Sequence, residues 1–278
     1  MIGRMLRPGL LLGCLMTLAA APWTELPPTP RLPAGIVTHI VRVGGADIWV
    51  GTIGSGPAVL MLHGGLGSSD WWGNQVPALA ASHTVVLVDS RGQGRSTLGT
   101  TPLSYERIGD DVVFVLDALG IARADLVGWS DGAIVALDLA VRRPARVRRV
   151  VAFAANIRSD GLTASTGAHS AFARYVARAP ADFTRLSPTP DAYTANKAAV
   201  QRMWAHGPEW PDARLATTIA PVLVLWAEHD EAIRASHAAE IARAIPGARL
   251  QELRGAGHFA MSQDANAFSA AAVTFLAR

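Results

Sequence analysis

Short apolar runs alternate with longer amphipathic runs along most of this chain. The runs at 58–63 (AVLMLH) and 83–90 (HTVVLVDS) are almost continuously apolar and end at glycine-rich turns, which is typical of strands covered on both faces. Helical spacing follows from Tyr105 to Leu119 and stops at a glycine. A strand followed by a helix, repeated, predicts parallel strands joined by right-handed crossovers. The pattern therefore indicates an α/β fold.

Two earlier runs, THIVRV and DIWVGTI, are joined across Gly44-Gly45 and predict a hairpin before the parallel units. We therefore expect a mixed, mostly parallel central sheet with helices on both faces, antiparallel at its start. Further strands are expected in ADLVGWS and at 147–156, 221–230 and 248–258, and further helices at Asp131–Arg143, near Ser236–Ile245 and at the end of the chain. Ligands of such sheets gather at the carboxyl ends of the strands.

Residues 157–218 interrupt this alternation, because they hold helical pieces and prolines but no strand pattern. The interruption begins directly after the carboxyl end of a predicted strand. We therefore expect a helical cap insertion at about 157–218, above the strand ends. A surface excursion remote from any site is the alternative.

The first 21 residues have the order of a secretory signal peptide: Arg4 and Arg7, an apolar run at 10–18, then Ala19-Ala20-Ala21. This order predicts an exported protein, periplasmic or secreted, without a stable membrane span after cleavage. An uncleaved anchor and a lipoprotein processed at Cys14 are the alternatives. Residues 22–35 are a proline-rich lead-in, and residues 36–278 form the main domain.

Composition narrows the classes of partner. The formal net charge is +3 and falls to +1 once Arg4 and Arg7 are set aside, so a nucleic-acid partner is not expected. A hydrophobic content of 50% with 17% charged residues excludes a disordered chain. None of the histidines has metal-ligand spacing such as H-E-x-x-H, and neither a metal nor a cofactor is expected.

The pentapeptide GWSDG places Ser130 between two glycines where a predicted strand turns into a predicted helix. G-x-S-x-G in that context is typical of a nucleophile elbow, in which a tight turn lifts the serine hydroxyl and a helix N-terminus favours developing negative charge. Ser130 is therefore the candidate nucleophile. A glycine-rich turn with a capping serine is the alternative.

A serine needs a base and a carboxylate that orients it. His258 follows the last predicted strand, and Asp230 ends the strand before it, so both are expected at the carboxyl edge of the sheet. Glu228 and Glu231 are rivals for the acid. The order serine, acid, histidine is the one expected of this arrangement.

The run HGGLG at 63–67 follows a strand, and its backbone N–H groups can turn inward. The N–H of Gly65 or Leu66, together with that of Asp131, is expected to form an oxyanion hole. A purely structural tight turn is the alternative. Trp71 and Trp72, just after this run, and Trp129 beside Ser130 are candidates for an apolar substrate pocket, together with Trp204. Ordinary core packing is the alternative for each. The cap side chains that would close this pocket are Phe172, Tyr175, Met203 and Trp204.

Taken in order, HGGLG, DSRGQGRS, GWSDG, EHDEAI and GAGHF resemble the α/β-hydrolase superfamily over residues 37–278. The resemblance implies the α/β-hydrolase fold, with Ser130 as nucleophile, His258 as base and Asp230 as its orienter. It also implies structural roles for Asp89 and Arg91. Similar haloalkane dehalogenases and epoxide hydrolases carry aspartate at the nucleophile position, so those chemistries are disfavoured.

We therefore predict a serine hydrolase that cleaves small-molecule carboxylic esters with small or medium acyl groups through an acyl-enzyme. A lactonase and an amino-acid ester hydrolase or aminopeptidase-like amidase remain open, as does a non-catalytic binding protein. Valacyclovir-hydrolase-like enzymes share GWSDG, and this resemblance implies that the Asp131 side chain could recognise an amino group. The pentapeptide is also widespread in bacterial hydrolases of unassigned substrate.

Overall fold

The computed structural model describes residues 21–163 and 167–277, so almost all of the predicted signal peptide, including Cys14, lies outside the described residues. Within that part, eight strands form a sheet of order β1-β2-β4-β3-β5-β6-β7-β8. The strands are β1 (Val37–Val43), β2 (Ala46–Ile53), β3 (Ala58–Leu62), β4 (Thr84–Val88), β5 (Ala124–Trp129), β6 (Val147–Phe153), β7 (Val222–Ala227) and β8 (Arg249–Leu253). β2 pairs antiparallel with β1 and β4, and the later pairs are parallel. The predicted mixed, mostly parallel sheet is confirmed.

Helices cover both faces of the sheet. They are α1 (Val76–Ala80), α2 (Tyr105–Ala118), α3 (Asp131–Arg142), α4 (Ala171–Leu186), α5 (Tyr193–Ala205), α6 (Asp212–Leu215), α7 (Ala235–Ala244), α8 (Ala260–Gln263) and α9 (Ala265–Leu276). In β3, Leu60 and Leu62 face α2 and α3, whereas Val59 and Met61 face α1 and α9. This explains the continuous apolar run of β3, because a parallel strand buried on both faces needs apolar side chains at every position.

The hairpin between β1 and β2 turns at Gly44 and Gly45, whose φ angles are 52° and 75°. Two successive positive φ angles match the turn type that suits the twist of a two-residue hairpin, and glycine adopts them without steric cost. The hairpin predicted from the glycine pair is therefore present.

The chain leaves the sheet between β6 and β7. We call residues 154–221 the insertion; it holds α4, α5 and α6 and includes the range 157–218 for which a cap is predicted. An isolated antiparallel β-bridge joins Leu162 of the insertion to Ile233 after β7. No helix in the described part of the chain is long and apolar enough to cross a membrane.

Candidate active site

Ser130 occupies a tight turn between β5 and α3. Its φ of 53° and ψ of −120° lie in a region that residues with a side chain rarely adopt. The Ser130 N–H donates to the carbonyl of Phe153 at 2.9 Å, and the Ser130 carbonyl accepts from the N–H of Ala133 at 2.8 Å. The turn therefore fixes the serine at the N-terminus of α3, as the elbow motif predicts.

The glycines on either side of Ser130 permit two close backbone approaches. A Cβ at Gly128 would lie 2.3 Å from the carbonyl oxygen of Gly132, and one at Gly132 would lie 2.1 Å from that of Leu62. Neither contact is sterically possible. The two glycines therefore let α3 begin directly against β3 and β5.

His258 and Asp230 form a buried hydrogen-bonded pair. Nδ1 of His258 lies 3.0 and 3.1 Å from the two Asp230 carboxylate oxygens. Because a carboxylate only accepts, Nδ1 carries the proton and Nε2 presents its lone pair. Asp230 Oδ1 also accepts the N–H groups of Ala232 and Ile233, which hold the carboxylate in place.

The other ring nitrogen of His258 is available for proton transfer. Nε2 is buried without a hydrogen-bond partner among the described residues, and His258 and Ser130 line the same cavity. Burial acts to lower the pKa of His258, but the carboxylates of Asp230, Glu231 and Asp131 together, Asp230 foremost, raise this pKa above the ordinary value. The pair therefore fixes the tautomer of His258 and leaves Nε2 able to accept a proton.

The loop after β3 is fixed by hydrogen bonds to its carbonyls. Nδ1 of His63 lies 2.8 Å from the Gly64 carbonyl, while Nε2 of His63 accepts from the Ser90 N–H at 2.9 Å. The Tyr175 hydroxyl donates to the Gly65 carbonyl at 2.7 Å. Burial lowers the pKa of His63, which keeps this ring neutral and structural.

Two of the three predicted oxyanion donors face the cavity. Gly65 and Asp131 line it together with Ser130, whereas Leu66 lines a separate small cavity beside α4. The Gly65 N–H has no hydrogen-bond partner in the described part of the chain. The Asp131 N–H belongs to the first turn of α3, where N–H groups lack intrahelical partners. The geometry therefore favours Gly65 over Leu66 as the donor from this loop.

The Asp131 side chain lies beneath the cavity between two neutral donors. Oδ1 accepts from the Tyr105 hydroxyl at 3.2 Å, and Oδ2 accepts from Nε1 of Trp204 at 2.7 Å. Burial raises the pKa of Asp131 to about 6, although both hydrogen bonds act to lower it. A Cβ on Gly65 would lie 2.3 Å from Oδ2, so the glycine loop also needs this close approach.

Asp131 differs from the other deeply buried aspartates in its partners. Among the described residues it has no ion pair with a lysine or arginine. The buried aspartates that do pair with arginine are Asp70, Asp89, Asp111, Asp125 and Asp138. A buried carboxylate without a cation is unusual, because burying an uncompensated charge is costly.

The cavity has a volume of about 240 Å³ and an aromatic wall. Trp129, Phe172, Tyr175 and Trp204 line it, as predicted for the pocket and its cover. Trp71 and Trp72 do not: Trp71 packs behind the wall, with its ring centroid 5.6 Å from that of Trp129, and Trp72 packs against Phe268. The side chains that sequence reasoning did not assign to this site are Tyr105, Asn156, Ser159, Leu162, Thr163, Pro208, Ala232 and Ile233.

Met203 faces a second, larger cavity of about 740 Å³ instead of the site. Tyr105, Gly207 and Pro208 line both cavities and form the wall between them.

Glu231 is a rival acid that has a different role. Its Oε2 accepts the His258 N–H at 3.2 Å and its Oε1 accepts the Phe172 N–H at 3.0 Å. Glu231 therefore connects the His258 loop to the start of α4 through backbone N–H groups, whereas Asp230 bonds the imidazole. The only sequence signal for this role is its position directly after Asp230.

Asp89 and Arg91 hold the loop after β4, as the resemblance implies. Asp89 accepts the N–H groups of Ser69 and Arg95, and Arg91 forms a bidentate pair with Asp111 at 2.6 and 2.8 Å.

Asp160, His237 and Glu240 have ligand atoms within 4.8 Å of one another, which is the spacing of a metal site. Protein groups already occupy these atoms. His237 bonds Glu240 through Nδ1 and the Ile157 N–H through Nε2, and Arg158 pairs with both carboxylates. This cluster anchors the insertion to α7.

Residues 59–272 match the model of the alpha/beta hydrolase family. The chain belongs to this family and is therefore a hydrolase. The fold, a mostly parallel eight-stranded sheet with helices on both faces, agrees with that assignment.

The chain is similar over most of its length to several named proteins. A protein named carbamate hydrolase RutD from Caulobacter sp. is 32% identical over 256 residues, covering 80% of this chain and 92% of the relative. The protein of the same name from Azorhizobium caulinodans is 29% identical over 238 residues, covering 77% and 89%. The solved structure of Est816, described as an N-acyl homoserine lactone degrading enzyme, has a TM-score of 0.70 at 25% identity and covers 85% of this chain and 100% of its own.

Proposed function

We propose that the chain is a serine hydrolase that cleaves carboxylic esters of small or medium acyl groups through an acyl-enzyme. One observation carries the proposal: Ser130, His258 and Gly65 line one cavity, and neither Nε2 of His258 nor the N–H of Gly65 has a hydrogen-bond partner among the described residues. The names of the relatives, carbamate hydrolase and lactone-degrading enzyme, support attack on an acyl carbonyl.

In the first half-reaction, Ser130 Oγ attacks the acyl carbonyl carbon while Nε2 of His258 takes the hydroxyl proton. The tetrahedral oxyanion accepts hydrogen bonds from the N–H groups of Gly65 and Asp131. The carbon–oxygen bond to the alcohol then breaks, and Nε2 returns the proton to the leaving alcohol. Asp230 stabilises the imidazolium throughout.

In the second half-reaction, water attacks the acyl-enzyme with His258 as base and releases the acid and free Ser130. A cavity of about 240 Å³ with an aromatic wall accommodates a short or medium acyl chain more readily than a long one. Lactones and amides present the same acyl carbonyl, so they remain alternative substrates.

The test is labelling of the protein with a fluorophosphonate, followed by hydrolysis of a p-nitrophenyl ester chain-length series. Ser130→Ala should abolish labelling and turnover. Ser159 lines the same cavity, so Ser159→Ala is the matched control and should keep both. Labelling that persists in Ser130→Ala would remove the mechanism. Folded wild-type protein that neither labels nor turns over would favour a binding protein.

A second candidate, hydrolysis of esters with an amino group on the acyl chain, is favoured by the Asp131 carboxylate beneath the cavity. A substrate ammonium there would be the cationic partner that Asp131 lacks among the described residues. A hydrogen bond between such charges contributes about 1.5–3 kcal/mol, or roughly 10- to 150-fold in kcat/KM.

The p-nitrophenyl esters of alanine and isobutyrate differ only in an ammonium against a methyl group, so their kcat/KM ratio isolates this contact. Asp131→Asn keeps the shape of the side chain and should lower the ratio at least tenfold. If the variant slows both esters equally, Asp131 does not recognise the amino group.

A further inference from the structure

Residues 22–31, which we call the strap, cross the outer surface of α4 and the loops after β7 and β8. The strap has no regular secondary structure apart from one 3-10 turn at Pro22–Thr24, and its Leu26 side chain is buried. The composition of this stretch predicts only a proline-rich lead-in. The contacts of the strap give it a more specific place.

The strap binds one face of α4 through polar contacts. Arg178 donates to the carbonyls of Pro27 at 2.5 Å and of Leu26 at 3.3 Å. Arg174 donates to the Thr24 carbonyl, and the Thr29 hydroxyl donates to Asp182 at 2.7 Å. Arg174, Arg178 and Asp182 are spaced by four residues, so they form one stripe along the helix.

The strap also contacts the neighbours of Asp230 and His258. The Trp23 ring stacks on His229 with centroids 3.8 Å apart and an interplanar angle of 18°. The Gln263 side-chain amide donates to the carbonyls of Trp23 and Glu25, and its oxygen accepts the Gly257 N–H at 2.7 Å. His229 and Gly257 directly precede the two residues of the buried pair.

The other side of α4 faces the candidate site. The Phe172 ring meets the His258 ring edge-on at 5.6 Å, and the Tyr175 hydroxyl holds the Gly65 carbonyl. α4 therefore lies between the strap and three parts of the site: the base, the glycine loop and the cavity wall.

We propose that the strap is a positioning element that holds α4 and the Asp230 and His258 loops in their reactive arrangement. This inference rests on the proposed hydrolase function. Displacements of about 1 Å at a reacting centre can cost up to 100-fold in rate. Loosening the strap, which contacts the site through α4 and the two loops, should therefore have a measurable effect.

The test uses the full chain and compares two arginines whose side chains each donate hydrogen bonds to two backbone carbonyls. Arg178 holds the strap, whereas Arg146 holds the carbonyls of Ile121 and Ala122 at the amino ends of the strands, remote from the site. Arg178→Ala should lower kcat/KM for a p-nitrophenyl ester about tenfold. Arg146→Ala should stay within about twofold, and Arg178→Lys should recover most of the loss because lysine can still donate.

Hydrogen–deuterium exchange supplies a readout that needs no activity. Arg178→Ala should speed exchange in residues 229–233 and 257–259, and Arg146→Ala should not. Trp23→Ala repeats the test from the loop side of the strap. Equal losses of activity and protection in the Arg178 and Arg146 variants would overturn the proposal. A wild-type chain without esterase activity would refute the function but leave the exchange comparison intact.

Discussion

The Asp131 carboxyl sits beneath the cavity with two neutral donors, and burial raises its pKa from 3.8 to about 6. A folded-state pKa above the unfolded value means that the fold binds the proton more tightly than the unfolded chain does. The cost of ionising Asp131 is therefore fully present above about pH 6 and absent below about pH 4. The residue weakens the fold at neutral pH.

We expect Asp131→Asn to increase the free energy of unfolding at pH 8 by on the order of 3 kcal/mol more than at pH 4. The asparagine oxygen can still accept from Trp204, and its amide can donate to the Tyr105 oxygen. Urea unfolding of both proteins at the two pH values measures the difference. A gain of equal size at both pH values would show that the ionised carboxylate is not its cause.

His258 sets the pH dependence of the proposed reaction. It acts as a base only when neutral, and the neighbouring carboxylates, Asp230 foremost, raise its pKa above 6.5. We therefore expect kcat/KM to fall on acidification with a midpoint above pH 6.5, and to be flat at higher pH.

Asp230→Asn removes the charge that most raises this pKa, so the midpoint should move down and the rate should fall about 10³–10⁴-fold. A rate that rises on acidification would assign the proton transfer to another group.

At the scale of elements, the first residue of α2 divides two cavities. Tyr105 lines both the site cavity of about 240 Å³ and its neighbour of about 740 Å³. Tyr105→Ala should join them and move the optimum of a p-nitrophenyl ester series to longer acyl chains. Tyr105→Phe keeps the ring but not the hydroxyl, so it should keep the short-chain optimum. An optimum that is unchanged in the alanine variant would place the acyl chain elsewhere.

The sheet and the longer helices could be predicted because burial imposes a simple pattern on each. A strand such as β3, covered on both faces, is apolar throughout, and α2 shows a helical period over fourteen residues. The sequence does not predict α1 and α8, because helices of five and four residues are too short to show a helical period of apolar side chains. Tertiary packing, and not a periodic pattern of apolar residues, accounts for these short helices.

The site could be predicted where a residue type and a strand end coincide, as for the residues Ser130, Asp230 and His258. The structure places these together, but their roles stay a prediction. Trp71 was expected in the pocket because it follows the glycine loop, yet the 3-10 turn at Ser69–Trp72 packs it behind Trp129. Tyr105 fits a core helix position equally well, so periodicity alone could not assign it to the cavity.

At the scale of the whole molecule, buried polar contacts join the insertion to the core at several separate points. Arg214 at α6 pairs with Asp138 inside α3, and Trp204 of α5 bonds Asp131. On the opposite side, Arg185 of α4 pairs with the buried Asp70. Releasing the insertion would remove one partner from each of these aspartates, although Asp138 would keep Arg142 and Asp70 would keep Arg95. Each lost hydrogen bond to a charged group costs about 1.5–3 kcal/mol. The insertion and the sheet are therefore coupled in stability.

This coupling predicts that the insertion and the sheet unfold in one cooperative transition. Urea unfolding followed by far-ultraviolet circular dichroism and by tryptophan fluorescence should give coincident curves. Hydrogen–deuterium exchange should give α5 an opening free energy near that of β5, since a weakly attached unit would open locally at lower cost. Arg214→Ala leaves Asp138 with Arg142 alone and should lower the stability of α5 and α6 before that of β5. Two unfolding transitions in the wild-type chain, with α5 exchanging long before β5, would show that the insertion is an independent unit. The part of the cavity wall that the insertion supplies would then open without unfolding of the sheet.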